Sequence, residues 1–226
     1  MTEPELHQEI ERIIQLEREA NPRTYNSDDI QGDQCYQAYE RINLPGYRWS
    51  VEKRIREYNL SRLYSPTASV IDIGSNVGFF VAEFGMHCKS ACGVEPNRYL
   101  NDVGRLVCNY LSIAEKTQYF DQPFEDFVPS QQYDRILSLA SFYTRDEGQR
   151  TSAEAFFGKI REMLAPGGMF FYESTSYLND PDNETYGHYL ASREALRVLQ
   201  DLFRIEESYE APSGRCMRQF VLAHAD

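Results

Sequence analysis

The residues from Val70 to Phe80 read Val-Ile-Asp-Ile-Gly-Ser-Asn-Val-Gly-Phe-Phe. A β-branched run ends at Ile73, a glycine-bearing turn follows, and an apolar helix opens after Gly78. Gly74 and Gly78 let the backbone bend sharply and let a ligand come close to it. A dinucleotide fingerprint would read G-x-G-x-x-G, whereas this stretch reads D-x-G-x-N-x-G, with Asn76 where a glycine is usual. Asp72 suits a cation, such as an ammonium group, better than a pyrophosphate. The competing reading is an ordinary strand-to-helix turn of some other α/β protein. A second acidic residue, Glu95 in Gly93-Val94-Glu95-Pro96-Asn97, ends the next apolar run seventeen residues after Gly78. At that distance from a glycine turn a carboxylate, with Pro96 shaping its loop, can accept hydrogen bonds from both hydroxyls of a ribose.

Two further stretches carry polar groups at strand ends. In Asp121-Gln122-Pro123-Phe124-Glu125-Asp126-Phe127 a nucleobase could lie on Phe124, with Glu125 or a backbone N–H reading its edge. An acidic helix start is the equally good alternative. Tyr133 to Leu139 is a fourth apolar run, with Ser138 near its end and Tyr143 and Asp146 beyond it. Leu164-Ala165-Pro166-Gly167-Gly168 then stops a helix ahead of a strand that ends at Glu173. If a hydroxyl is to be activated, a base is useful. Glu173 at a strand end, His188 in a Tyr-Gly-His-Tyr loop and Tyr143 are the candidates. The plain alternatives are a solvated strand end and a surface histidine. An anionic group would instead call on Arg54, Arg215 or Arg218.

These residues need a scaffold, and the pattern supplies one. Residues 4–20 predict an amphipathic helix, and 50–63 a second, within a Tyr- and Arg-rich stretch that is helical in parts. From residue 69 strands and helices alternate: 69–73, 79–89, 91–94, 98–112, 118–120, 133–139, 151–165 and 169–173. Such alternation implies parallel βαβ units. The tail changes to a helix at 192–203 and two strands, 203–210 and 217–225, joined at Pro212-Ser213-Gly214 as an antiparallel hairpin. Residues 1–66 are therefore read as a helical cap and 67–226 as one α/β domain.

Composition bounds the partners. The chain has 226 residues, and its formal net charge of −12 repels nucleic acid overall. The basic stretch Arg41, Arg48, Lys53, Arg54, Arg56 and Arg62 is a local exception, or simply a solvated helix face. No apolar run approaches the roughly 18–20 residues of a membrane span, and the acidic start is unlike a secretory signal. The expectation is a soluble, cytoplasmic protein. Five cysteines, an odd number, argue against a disulfide framework. Cys88 and Cys92 are four apart, but no second pair matches them, so buried thiols are expected and no metal.

Taken in order, IDIGSNVG, GVEPN, YDRILSL and LAPGGMFFYE resemble the motif series of class I S-adenosylmethionine-dependent methyltransferases over about residues 66–226. That resemblance implies a doubly wound, mostly parallel seven-stranded sheet closed by a C-terminal antiparallel hairpin. It implies S-adenosylmethionine as cofactor, held by Asp72, Gly74, Asn76, Gly78, Glu95, Pro96, Phe124, Glu125 and Ser138. A nicotinamide-dependent reductase fits the glycine spacing less well, and a silent cofactor-binding paralogue would keep the same motifs. The cap residues Tyr36 and Arg54, with Arg215 and Arg218, are also similar by position to the methyltransferase domains of O-antigen chain-terminating and related glycan enzymes. In that group cap residues close over the cofactor, which here points to Tyr36 and Arg54. The implied acceptor is a small molecule or glycan, with tRNA, rRNA or protein as alternatives. On this reading residues 1–30 are dispensable for cofactor binding.

Overall fold

Thr2 opens the first helix by donating its N–H to the Glu5 carboxylate at 2.7 Å, and the helix, α1 (Glu3–Ala20), then turns Leu6, Ile10, Ile13 and Ile14 inward. The computed structural model describes residues 1–21, 35–142, 151–179, 187–213 and 216–225. Two three-residue strands, β1 (Cys35–Gln37) and β2 (Gly46–Arg48), pair in parallel and precede α2 (Val51–Glu57). Three residues are too few to show a period of two, so these strands leave no mark on the sequence pattern. The helix expected over 50–63 is shorter. It stops at Glu57, Asn59 takes a left-handed conformation (φ 51°), and a 3-10 turn covers Leu60–Leu63.

The remaining elements follow as β3 (Ser69–Ile73), α3 (Phe79–His87), β4 (Ser90–Val94), α4 (Arg98–Tyr110), β5 (Thr117–Phe120), β6 (Tyr133–Leu139), α5 (Ala153–Met163), β7 (Leu164–Thr175), α6 (Gly187–Leu202), β8 (Arg204–Ser213) and β9 (Cys216–His224). Among the described residues the main sheet has seven strands in the order β5-β4-β3-β6-β7-β9-β8. The pairs β4–β5, β3–β6 and β6–β7 are parallel, and β9 runs antiparallel to both β7 and β8. This is the expected doubly wound sheet with a terminal hairpin. Strand order reverses between β3 and β6, the position where such sheets open a crevice at their carboxyl ends. No described helix is long and apolar enough to cross a membrane.

Three expectations shift. Pro166 to Gly168 do not end a helix. Helix α5 stops at Met163, and the Pro-Gly-Gly segment bulges out of β7 between the pairs Tyr133–Leu164 and Arg135–Met169. Pro212 and Ser213 pair with Met217 and Cys216, so the hairpin connection lies at 214–215, outside the described residues. Helix α6 begins at Gly187, so His188 belongs to a helix rather than a loop.

The chain forms two compact units. The first combines Met1–Thr67 with Ser75–Pro123, and the second combines Ala68–Gly74 with Phe124–Asp226. In the first, α1 packs on α4, and α3 is buried along nearly its whole length through Phe79, Phe80, Val81, Ala82 and Phe84. The one carboxylate in that helix, Glu83, is buried but satisfied. It accepts from Tyr39 Oη at 2.9 Å and from Arg41 Nε and Nη2 at 3.2 and 3.0 Å. Tyr39 is fully buried and stacks on Phe79, and burial together with the Glu83 charge pushes its phenol well above the usual range. Glu83→Ala strands these donors, so it is expected to cost about 2–3 kcal/mol, read as a lower urea midpoint. Tyr39→Phe, which removes one bond and keeps the ring, should cost about 1 kcal/mol. Equal midpoints for wild type and Glu83→Ala would show that the cluster contributes nothing. The second unit has an aromatic core in which Phe142, Phe156, Phe157, Phe170 and Tyr172 meet edge to face or tilted.

Candidate functional site

In the first unit, the turn after β3 explains why position 76 is asparagine. Asn76 has φ 51°, a left-handed conformation that Asn tolerates better than other side chains. Its Oδ1 accepts the Val77 N–H at 2.9 Å, which fixes the turn locally. The Asn76 N–H in turn donates to Glu95 Oε2 at 3.2 Å, while the Asn97 N–H donates to Glu95 Oε1 at 3.1 Å. Glu95 is thus held by one backbone donor per oxygen. A carboxylate offers about four acceptor positions, so capacity for two hydroxyls is left. Burial raises the Glu95 carboxyl above its ordinary range, against the two N–H groups that lower it, and the charge of Glu17 raises it further. Pro96 is exposed.

The neighbouring strand end is tied to the Glu95 backbone by Asn101, which is fully buried. Its Nδ2 donates to the carbonyls of Glu95 and Phe120 and to Asp121 Oδ1, at 2.9, 3.3 and 2.8 Å. Asp121 also accepts from Arg105 Nη2 at 2.8 Å. Asn101 Oδ1 is buried without a hydrogen-bond partner among the described residues. Asp121 opens the polar stretch in which Phe124 and Glu125 are the expected contacts. The signal that would have found it is its place directly after the strand, the same place Glu95 has after β4.

Gly78 is required for a reason the sequence did not give. It begins α3 with φ 71°, and a Cβ there would lie 2.3 Å from Tyr119 Cε1. The Tyr119 ring fills the space over both Gly78 and Gly104, and its hydroxyl donates to the Gly78 carbonyl at 3.1 Å. The glycine therefore makes room for a side chain of the protein itself. Of the cap residues, Arg54 reaches α3 and lies 4.8 Å from the Phe80 ring centre, two residues beyond the turn. Tyr36 is half-exposed beneath the Arg48 guanidinium, 5.6 Å from its ring centre.

In the second unit, Asp72 is buried in β3 opposite Leu137. Gly74 lies against Ser141, where an added Cβ would come within 2.5 Å of the serine Cβ. Ser138 is buried with its hydroxyl 2.7 Å from Ser141 Oγ. Phe124 is buried; its ring meets Phe156 at 5.0 Å and lies under Lys159 Nζ, which donates to the carbonyls of Phe124 and Glu125. Glu173 is not a solvated strand end. It is 1% exposed and ion-paired with Arg218, which also donates to Thr175 Oγ1. Tyr143, Asp146 and the side chain of His188 lie outside the described residues. Four of the five cysteines are buried. Among the described residues no cluster of His, Cys, Asp and Glu could hold a metal ion.

No family model matches the chain, and no curated protein matches it. Solved structures do. The N-methyltransferase NodS from Bradyrhizobium japonicum in complex with S-adenosylhomocysteine is 15% identical and covers 92% of this chain and 98% of its own, with a TM-score of 0.65. The O-methyltransferase from Bacillus cereus with S-adenosylhomocysteine is 12% identical, covers 96% and 90%, and has a TM-score of 0.64. The O-methyltransferase TomG from Streptomyces achromogenes with S-adenosylmethionine is 14% identical, covers 82% and 85%, and has a TM-score of 0.61. The strand order, the turn before α3 and these neighbours agree on one architecture: the chain has the doubly wound fold of S-adenosylmethionine-dependent methyltransferases.

Proposed function

We propose that this protein transfers a methyl group from S-adenosylmethionine to a small-molecule acceptor, with a hydroxyl as the favoured acceptor. The observation that carries this reading is the Glu95 carboxylate, fixed by two backbone N–H groups and left with room for two more donors. A ribose diol has that donor set. Asp121, fixed by Asn101 and Arg105 at the next strand end, is the acceptor assigned to the exocyclic amine of the adenine. S-adenosylmethionine, when bound, supplies a methyl group already activated by its sulfonium. The protein's own work is then to bind, orient and exclude water.

The neighbours support the transfer class. One is an N-methyltransferase and two are O-methyltransferases, and all three carry S-adenosylmethionine or its demethylated product. They give no support to the narrower O-antigen likeness, so a glycan acceptor rests on the positions of Tyr36, Arg54, Arg215 and Arg218. Glu173 is already engaged by Arg218, which leaves His188 or Tyr143 as the more available base for a hydroxyl acceptor. Residues 1–66 are the accessory segment, and 67–226 carry the cofactor-binding fold.

Thermal melting tests the reading. S-adenosylhomocysteine at a hundredfold excess over its Kd should raise Tm by about 5–10 °C for a chain of this size, while nicotinamide dinucleotides should leave it unchanged. No shift with millimolar S-adenosylhomocysteine, or a shift with a nicotinamide dinucleotide in its place, would overturn it.

A further inference from the structure

The polar face of α1 reads as solvated, yet one of its carboxylates is not. Glu17 is fully buried. Its Oε1 accepts from Asn97 Nδ2 at 2.7 Å, and Asn21 and Arg18 also act on the carboxyl, against the burial that raises it. The asparagine it holds is the one whose backbone N–H holds Glu95. Asn97 Oδ1 meanwhile caps α4 by accepting the Tyr99 N–H at 3.1 Å. The side-chain amide and the backbone N–H of Asn97 are therefore all committed: Nδ2 to α1, the N–H to Glu95 and Oδ1 to α4. A carboxyl removed from water is costly even when hydrogen-bonded, and an apolar residue of similar size would pack here with less penalty. The position of the cost, one residue from the Glu95 carboxylate, suggests what offsets it.

We propose that Glu17 is a positioning residue of the nucleoside site: it holds Asn97, and through Asn97 it keeps the Glu95 carboxylate aimed at the ribose hydroxyls. The N-terminal helix is then part of cofactor binding, against the expectation that residues 1–30 are dispensable. The inference rests on reading Glu95 as the ribose acceptor. The two carboxyls also interact. Burial raises both, and the Glu17 charge adds to the rise at Glu95. The other charged groups around them are Arg18 beside Glu17 on α1, and Asp121 with its partner Arg105, which share Asn101 with Glu95.

Calorimetric titration of the full chain with S-adenosylhomocysteine, across pH, decides the matter for wild type, E17Q and E17M. E17Q keeps the carbonyl that accepts from Asn97 but loses the charge. Its affinity at pH 8 should stay within about threefold of wild type, and its acid limb should move to lower pH because Glu95 loses a like-charged neighbour. E17M keeps the buried volume and loses the hydrogen bond. It should fold, as judged by a cooperative melt, and bind about tenfold more weakly, the scale of one lost hydrogen bond. Wild-type affinity in a folded E17M would overturn the inference and leave the reading of Glu95 intact. If E17M does not fold, an E17Q acid limb superimposed on that of wild type overturns it instead. Failure of the wild-type chain to bind S-adenosylhomocysteine would sink the underlying reading, which is a different result.

Discussion

Glu95→Ala is expected to weaken S-adenosylhomocysteine binding by about 10- to 100-fold while leaving the fold intact. The variant removes the acceptor for two hydroxyls, and charge-assisted hydrogen bonds are worth about 1–3 kcal/mol in such sites. It also frees the N–H groups of Asn76 and Asn97, but both lie in half-buried turns where water can reach them. Glu95→Gln should fall between the two, since it keeps one acceptor oxygen and loses the charge. The pH dependence has a fixed sign. The hydroxyls donate to the ionised carboxylate, and burial places the Glu95 carboxyl above its ordinary range. Wild-type affinity should therefore hold at neutral pH and decline on acidification earlier than an ordinary glutamate would allow. Glu95→Gln should lack that decline. Equal dissociation constants for wild type and Glu95→Ala would mean that the ribose is held elsewhere.

Gly78→Ala should cost stability rather than affinity alone. An alanine at φ 71° pays about 1–2 kcal/mol for its left-handed backbone. Its Cβ would also lie 2.3 Å from Tyr119 Cε1, an overlap that forces the ring away from its hydrogen bonds to the Gly78 carbonyl and Cys108. Overpacking of this kind costs about 1–3 kcal/mol, so a loss of about 3–4 kcal/mol is expected from urea unfolding. Gly104→Ala provides the control. Its Cβ meets the same ring at 2.6 Å, but Gly104 is helical and regains about 1 kcal/mol of helix propensity. It should therefore cost about 1–2 kcal/mol. Midpoints that agree for the two variants would show that the left-handed backbone contributes nothing.

The sequence by itself determined the βα alternation, the glycine turn, the acidic residue seventeen positions beyond it and the antiparallel hairpin at the end. Each of these is a local pattern. A strand shows itself by a β-branched run, a turn by Gly, Pro and Asn, and Glu95 by its distance from the turn. Position 76 shows the limit of motif matching even here, since Asn stands for Gly because it too accepts a positive φ.

Only the tertiary structure decided which polar groups are satisfied. Glu173 and Arg218 are 45 residues apart in the chain, and nothing near either one announces that they form a buried pair. Phe124 reads equally well as a base platform or as core. Only the structure places it against Phe156 and Lys159. Glu17 lies on a helix whose other acids face water, and it is buried because α1 packs onto α4 near Asn97. Periodicity tells which face of an element turns inward, but a carboxylate's ionisation and role depend on who stands opposite it. That partner is chosen by packing between segments far apart in sequence, where no local pattern reaches.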